Sequence, residues 1–147
     1  MEILISDIFD KCSRLSSYEA GKNATVGDEL YNIIHITERD SEFLVDTMRQ
    51  AAGSIASILR FAITGYDVNT TTSKLTFDVI SDSSLNRPTS TKFIAEIIST
   101  YCMSVWLSNK IPDRAQAYMG MYTELMNNLV KSIHRLRPIL EPDDNND

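Results

Sequence analysis

The stretch WLSNKIPDRAQAYMGMY, residues 106–122, joins two long segments whose apolar residues recur at helical spacing. Pro112 has the geometry of a first helical residue, where its missing backbone N–H is no loss. Asp113 follows in the first turn, where a negative charge suits the positive end of the helix dipole. Residues 108–112 therefore predict a tight turn, and the two helices that it joins are predicted to be antiparallel neighbours.

The helix before this turn, about residues 91–109, is apolar on nearly every side, which predicts that it is the central helix of the fold. The helix after the turn carries two apolar stripes. One stripe consists of Ala115, Tyr118, Tyr122, Leu125, Leu129 and Leu136, and the other of Met119, Met126, Val130 and Ile133. Since one partner helix cannot cover both stripes, we expect a second surface to contact this helix. Pro138 is predicted to end it.

Two further helices are predicted upstream. Residues 4–15 have helical spacing, and Gly21 is a suitable end. A polar loop follows at 21–28, and residues 29–36 fit either a strand or a packed extended segment. Thr37 and Asp40 predict the start of the second helix, because each can bond the backbone of the other in a capping box. This helix is predicted to continue to Gly65.

The period of the sequence then changes to two. Residues 66–81 alternate apolar and polar side chains around a polar loop, which predicts a two-stranded ribbon with one buried face. Because an isolated hairpin is marginal in water, the ribbon must lie on the helices or pair with a neighbouring chain. Thr89 or Ser90, at the end of the loop 81–90, is predicted to be the N-cap of the helix that follows. The predicted fold is mainly α, a bundle of about four helices with a β-hairpin inserted between the second and third helices.

The bulk composition is that of an ordinary globular domain. The chain has 147 residues, is 43% hydrophobic and carries a formal net charge of −6. We predict one domain at 1–140 and a disordered acidic tail at 141–147, which holds four of the acidic residues. The body is therefore only mildly acidic. A basic stripe typical of nucleic-acid binding is short here, formed by Lys131, His134, Arg135 and Arg137.

The sequence also bears on the compartment. Cys12 and Cys102 both lie among apolar residues, which favours two buried free thiols in a reducing compartment over a disulfide. No apolar run approaches the roughly 18 residues that a membrane span needs. The first residues lack the basic region of a signal peptide. We therefore expect a protein that is made and folded in a cytoplasm, with no membrane partner.

No catalytic, cofactor-binding or metal-binding constellation is recognisable, so the chain is predicted not to be an enzyme. His35 and His134 lie in no Cys–His or nucleophile pattern, and four closely spaced zinc ligands are absent from the sequence. No glycine-rich phosphate loop occurs. The acidic clusters, Asp7 with Asp10 and Glu38 with Asp40 and Glu42, fit solvated helix faces better than paired catalytic carboxylates.

Two groups of side chains allow a binding interpretation beside a structural one. Trp106, Tyr118 and Tyr122 could stack on bases or on a ligand, although core packing at helical spacing is favoured. The basic residues at the end of the last helix could contact phosphate or an acidic partner, although they also complement the negative end of the helix dipole.

The order of three segments resembles the head–tail connector (adaptor, or neck-ring) proteins of tailed phages and prophages of Bacteroides-type bacteria. The segments are DELYNIIHITERDSEFLVDTMRQAAGSIASIL (28–59), LTFDVISDSSLN (75–86) and YCMSVWLSNKIPDRAQAYMGMYTELMNNLVKSIHRLRP (101–138). Together they cover about three quarters of the chain. The start at Ile111-Pro112 departs from the more acidic or Asn-Lys start expected of that group, and residues 1–27 have no counterpart.

The resemblance implies a virion structural protein without an active site. Such adaptors form a homo-oligomeric ring, typically a dodecamer, between the portal protein and the tail or neck proteins, and are assembled in the host cytoplasm. DNA would pass through the ring without specific binding, because mildly acidic subunits repel phosphates. Two alternatives stay open. One is a tail terminator or other small neck protein, which needs a larger sheet. The other is a cytoplasmic helical adaptor that binds a partner helix through the stripe from Tyr118 to Leu136.

Overall fold

The structure is a computed structural model that describes residues 1–135, except for the side chains of His134 and Arg135. Its elements in chain order are β1 (Glu2–Leu4), α1 (Ile5–Asn23), α2 (Glu29–Ile34), α3 (Ser41–Ile58), β2 (Ile63–Asn69), β3 (Lys74–Val79), α4 (Pro88–Leu107) and α5 (Pro112–Arg135). Short 3₁₀ turns precede α3 (Glu38–Asp40) and α4 (Ser84–Asn86). The mainly α prediction is confirmed, with four major helices and a small sheet. Leu136, Arg137, Pro138 and the acidic tail lie outside the described residues.

The position of the hairpin among the helices requires a correction. The segment 29–36, for which a strand or an extended segment was expected, contains the short helix α2, which buries Tyr31 and Ile34. The hairpin of β2 and β3 therefore lies between α3 and α4, and not between the second and third helices. An apolar run this short does not distinguish a helix from a strand by its period.

The joint at residues 108–111 forms as predicted. The N–H groups of Lys110 and Ile111 donate to the carbonyl oxygen of Leu107 at 3.0 and 2.9 Å, and Pro112 begins α5. The rings of Tyr101 and Tyr122 are in contact further along, with centroids 5.1 Å apart. Earlier residues of α4 thus contact later residues of α5, as expected for antiparallel helices. α4 is the central helix, because it packs against α1, α3 and α5.

α1 continues past its predicted end at Gly21 to Asn23, and two later helix boundaries also differ from the prediction. α3 ends at Ile58, and a turn follows in which the Leu59 carbonyl oxygen accepts from the N–H groups of Ala62 and Ile63, each at 2.8 Å. Gly65 therefore lies within β2 instead of ending a helix. α4 begins at Pro88, with its N-cap at Arg87, so neither Thr89 nor Ser90 is the cap. Proline at the first helical position sets this start.

The predicted contact between Thr37 and Asp40 is present at the start of the second long helix. The Asp40 carboxylate accepts from the Thr37 N–H at 2.9 Å. Between these residues the chain makes a 3₁₀ turn, in which the Asp40 N–H donates to the Thr37 carbonyl oxygen at 2.9 Å. α3 then begins at Ser41.

The sheet has a third strand that the sequence analysis placed partly in a helix. β1 pairs antiparallel with β3, with Ile3 opposite Leu75, so the strand order is β1-β3-β2. On the other side of β3, Val68 of β2 lies opposite Leu75, and Ile3, Leu75 and Val68 form one buried row. Three residues are too few to show an alternating pattern, and the partner of β1 lies far away in the sequence. The hairpin is thus stabilised by its own chain, both by β1 and by α3.

Candidate interaction surface

Trp106 occupies the core, as the packing interpretation predicted. Its side chain is 7% exposed, and its Nε1–H donates to the carbonyl oxygen of Ile34 at 2.6 Å. Phe43 makes an edge contact with the indole ring, and the Lys110 ammonium lies 3.7 Å from the ring centroid. Trp106 thus connects α4 to the end of α2, and its flat faces are occupied by neighbours rather than open to a ligand.

Tyr118 and Tyr122 also face the interior of the protein. Tyr118 is buried and its hydroxyl donates to Glu19 Oε1 at 3.3 Å. Burial raises the pKa of Tyr118, and the neighbouring charge of Glu19 raises it further. Tyr122 is half-buried against Tyr101, and burial raises its pKa as well. The geometry supports packing for both residues.

Sequence reasoning missed the buried ion pair of Glu19 and Arg114. The Glu19 carboxylate is 1% exposed and accepts hydrogen bonds from Nε and Nη2 of Arg114. The hydrogen bond with Glu19 raises the pKa of Arg114. Glu19 lies on α1 among polar residues, and no local pattern distinguishes it from an exposed glutamate. The pair links α1 to the first turn of α5.

The two stripes of the last helix are covered mainly by the same chain. Met126, Leu129 and Ile133 are buried, and Val130 is half-buried. Met119 is the exception in the described part of the two stripes, at 41% exposed. The second surface expected for this helix lies within the same chain, where α5 contacts α4 and approaches Ser54 of α3 through Tyr122.

The remaining candidates of the sequence analysis lie apart from one another. His35 is half-buried, with Nε2 3.4 Å from the Ser13 hydroxyl and its ring against Tyr31. Asp7 and Asp10 are exposed along an open groove. Glu38 and Glu42 are exposed as well, while Asp40 caps the turn described above. His134 and Arg135 have no described side chain, and Lys131 is exposed. Within the described part of the chain, no three His, Cys, Asp or Glu side chains converge as a metal ion requires.

Both cysteines are free and buried, in agreement with the prediction. They lie on α1 and α4, which pack against each other. Within residues 1–135, none of the helices is both long enough and apolar enough to cross a bilayer.

The sheet has two open edges among the described residues. β2 pairs with β3 on one side, β1 pairs with β3 on the other, and neither outer strand has a second strand partner. A register shift between Ile63 and Gly65 makes the start of β2 irregular, whereas the pairing is regular from Tyr66 to Asn69. An open edge presents unpaired backbone N–H and C=O groups to which another strand can bind.

Each strand of this sheet brings one large apolar side chain to the surface, at the strand or directly after it. Leu4 of β1 is 47% exposed, Tyr66 of β2 is 46% exposed, and Ile80, which follows β3, is 42% exposed. The other exposed large apolar residues are distributed over the helices and the 24–28 loop, and they are Tyr18, Val26, Leu30, Ile33, Phe43, Ile58, Met119 and Met121. The sheet therefore combines two edges that lack a further strand partner with exposed apolar side chains.

Comparisons with known proteins identify no relative of this chain, because no family model, no curated protein and no solved structure matches it.

Proposed function

We propose that the chain is a structural subunit of a ring-shaped assembly, a head–tail connector (adaptor) of a tailed-phage virion, which lies between the portal protein and the tail. The observation that carries the proposal is the open edge of β2, regular over Tyr66 to Asn69, in a sheet of only three strands. The ordered resemblance of the three sequence segments supplies the class of assembly. The mildly acidic body fits a channel that DNA crosses without adhering to it.

The two open edges belong to different strands, and this favours a ring over a two-fold dimer. If β1 of one subunit adds to β2 of the next, each subunit uses one edge to bind and offers the other edge to a further copy. Such a head-to-tail contact closes into a ring when its rotation divides a full circle. The three residues of β1 fit within the regular part of β2, which has four residues from Tyr66 to Asn69.

Charge constrains the register of this contact. Glu2, Thr76 and Asp67 lie in one row across the sheet. If the neighbour's β1 continued the same row, Glu2 would lie beside Asp67, and like charges directly opposite each other are destabilising. An antiparallel pairing with a register offset of two residues keeps each face of the sheet and places Glu2 opposite Asn69 and Ile3 opposite Val68. We propose this offset pairing.

The alternative functions have less support. A partner-helix adaptor would use the stripe that begins at Tyr118, but Tyr118 and Leu129 are buried within the subunit. A tail terminator would need a larger sheet, and the described residues form three strands. No specific observation favours either alternative over the ring.

The experiment measures the mass of the purified chain by size-exclusion chromatography with light scattering over a range of concentrations. We expect a ring-sized oligomer for the wild type and a closed ring in negative-stain images. Tyr66→Lys places an inward-facing lysine on the edge strand, a device that blocks edge-to-edge pairing, so it should shift the chain toward monomer. Tyr18→Lys is the matched control, because it makes the same change at a site that is 62% exposed on α1 and should leave the oligomer intact.

A wild-type chain that remains monomeric at millimolar concentration would overturn the proposal. If both variants form the same oligomer as the wild type, the chain self-associates, but the edge of β2 is not the interface. Thermal melts of both variants are needed beside these measurements, since Tyr66 also contacts α3.

A further inference from the structure

The two cysteines of the chain lie next to each other in the core, on different helices. Cys12 on α1 and Cys102 on α4 are both 0% exposed. The Cys12 Sγ donates to the carbonyl oxygen of Ser99 at 3.7 Å. Ser99 lies three residues before Cys102 on α4, so the two share a helix face, and the Cys12 sulfur lies against that face.

The Cys12 side chain also influences the titration of the Cys102 thiol. The hydrogen bond with the Cys12 side chain, together with burial, raises the pKa of Cys102 well above its usual value. The thiolate, which is the reactive form, is therefore disfavoured at Cys102 in the folded protein. Both sulfurs are also shielded from solvent, so a reagent reaches them only when α1 and α4 separate transiently.

We propose that Cys12 and Cys102 are a latent disulfide pair, which closes under oxidising conditions and locks α1 onto α4. The alternative interpretation is that the two cysteines are ordinary core residues that lie close together without forming a disulfide. The inference does not rest on the proposed assembly, because it concerns contacts within one subunit.

The oxidant is a small disulfide such as oxidised glutathione. A cysteine thiolate attacks one sulfur of oxidised glutathione, which forms a mixed disulfide and releases one glutathione thiolate. The second cysteine then loses its proton and attacks the protein sulfur of the mixed disulfide, which forms the Cys12–Cys102 bond and releases the second glutathione. Two protein thiols are oxidised and one molecule of oxidised glutathione is reduced to two of glutathione, with the protons carried by the released thiols.

The position of the pair gives the cross-link a large effect on stability. A bond between residues 12 and 102 closes a loop that contains α2, α3 and the hairpin. A disulfide that closes a long loop restricts the unfolded chain strongly, which corresponds to a rise in melting temperature of roughly 5–10 °C for a chain of this size. Reduction should reverse the rise.

The test refolds the wild-type chain from denaturant in a buffer of oxidised and reduced glutathione, which gives the oxidant access to both sulfurs. Free thiols are then blocked with a maleimide under denaturing conditions. We expect a monomeric product whose mass shows no maleimide and the loss of two hydrogen atoms. A non-reducing peptide map should contain the peptides of Cys12 and Cys102 joined to each other. The melting temperature should exceed that of the reduced chain.

Cys12→Ala and Cys102→Ala are the controls, since each leaves a single thiol and should show no redox-dependent change in melting temperature. The proposal is overturned if the refolded wild type retains two maleimide-reactive thiols, or if disulfides join different chains only. It is also overturned if the Cys12–Cys102 disulfide forms without a rise in melting temperature, because the disulfide would then not stabilise the packing of α1 on α4. These outcomes are read from the wild type, so they stand even if an alanine variant fails to fold.

Discussion

The guanidinium of Arg114 chelates the buried carboxylate of Glu19, with Nε and Nη2 at 3.1 and 2.9 Å from its two oxygens. The two residues are separated by 95 positions in the sequence, and their contact fixes the end of α1 against the start of α5. The carboxylate is shielded from water whereas the guanidinium side chain is 40% exposed. Removal of the arginine therefore has different consequences from removal of both partners.

Arg114→Leu should lower the free energy of unfolding by about 2–3 kcal/mol, because among the described residues it leaves the buried carboxylate with Tyr118 as its one remaining side-chain donor. This value lies below the range for fully buried pairs, since water can partly replace an exposed guanidinium. The double variant Glu19→Leu with Arg114→Leu should lose less than the single variant, because no uncompensated charge remains. Urea unfolding of the four chains of this double-mutant cycle measures the coupling, and strictly additive losses would contradict it.

Sequence reasoning succeeded where the signal is local and failed where the partner is distant. Pro112 and the pair of Thr37 and Asp40 act within one turn, and the helix starts that they predict are present. By contrast, β1 is a strand because it pairs with β3, which lies far away in the sequence. The ion pair between Glu2 of β1 and Lys74 of β3, for example, joins residues that are 72 positions apart.

The same limit explains why the burial of Glu19 was not foreseen and why one helix boundary was wrong. Glu19 has the residue type of a solvated helix face, and only the distant Arg114 permits its burial. The apolar residues Leu59, Ala62 and Ile63 continue the spacing of α3, so the sequence predicted helix as far as Gly65, whereas the chain turns after Ile58 and enters β2. Open strand edges, likewise, follow from the topology and not from any motif.

Trp106→Ala should lower the free energy of unfolding by about 3–5 kcal/mol, the usual range for a buried aromatic side chain. Trp106→Phe keeps part of the ring volume but removes the donor to the Ile34 carbonyl oxygen, so about 1–3 kcal/mol should be lost from the unmet hydrogen bond. Chemical denaturation followed by far-UV circular dichroism reports both losses without tryptophan fluorescence. An alanine variant as stable as the wild type would exclude the core position of Trp106.

Gly53 lies inside α3 at the point where Tyr66 crosses the helix. A Cβ added at Gly53 would lie 2.9 Å from the Tyr66 hydroxyl oxygen, so that oxygen must move in Gly53→Ala. We expect Gly53→Ala alone to change stability little, since the gain in helix propensity is offset by displacement of the tyrosine. In a Tyr66→Phe background the obstructing oxygen is absent, and Gly53→Ala should stabilise the fold by up to about 1 kcal/mol. Thermal melts of the four chains give this difference, and an equal effect in both backgrounds would contradict the close approach.

Stability should fall as the pH rises above about 10, the pKa of tyrosine in an unfolded chain. Burial, reinforced by the nearby Glu19 carboxylate, raises the pKa of Tyr118, and burial raises the pKa of Tyr122. Above pH 10 the unfolded chain loses these protons first, so the folded state binds more protons and the free energy of unfolding declines with pH. Below pH 10 both tyrosines are neutral in both states, and their stabilising contribution is fully present.

The matched variants Tyr118→Phe and Tyr122→Phe separate this effect from other groups that titrate at alkaline pH. Burial lowers the pKa of Lys110, which acts with the opposite sign, and that contribution is common to all the chains compared. Urea unfolding between about pH 8 and pH 11 should show a shallower alkaline decline for each phenylalanine variant than for the wild type. We expect Tyr118→Phe to show the larger reduction, because an ionised Tyr118 would no longer donate to Glu19 and would place a second negative charge 3.3 Å from its carboxylate oxygen. Identical slopes for the wild type and both variants would show that neither hydroxyl is shielded from water in the folded chain.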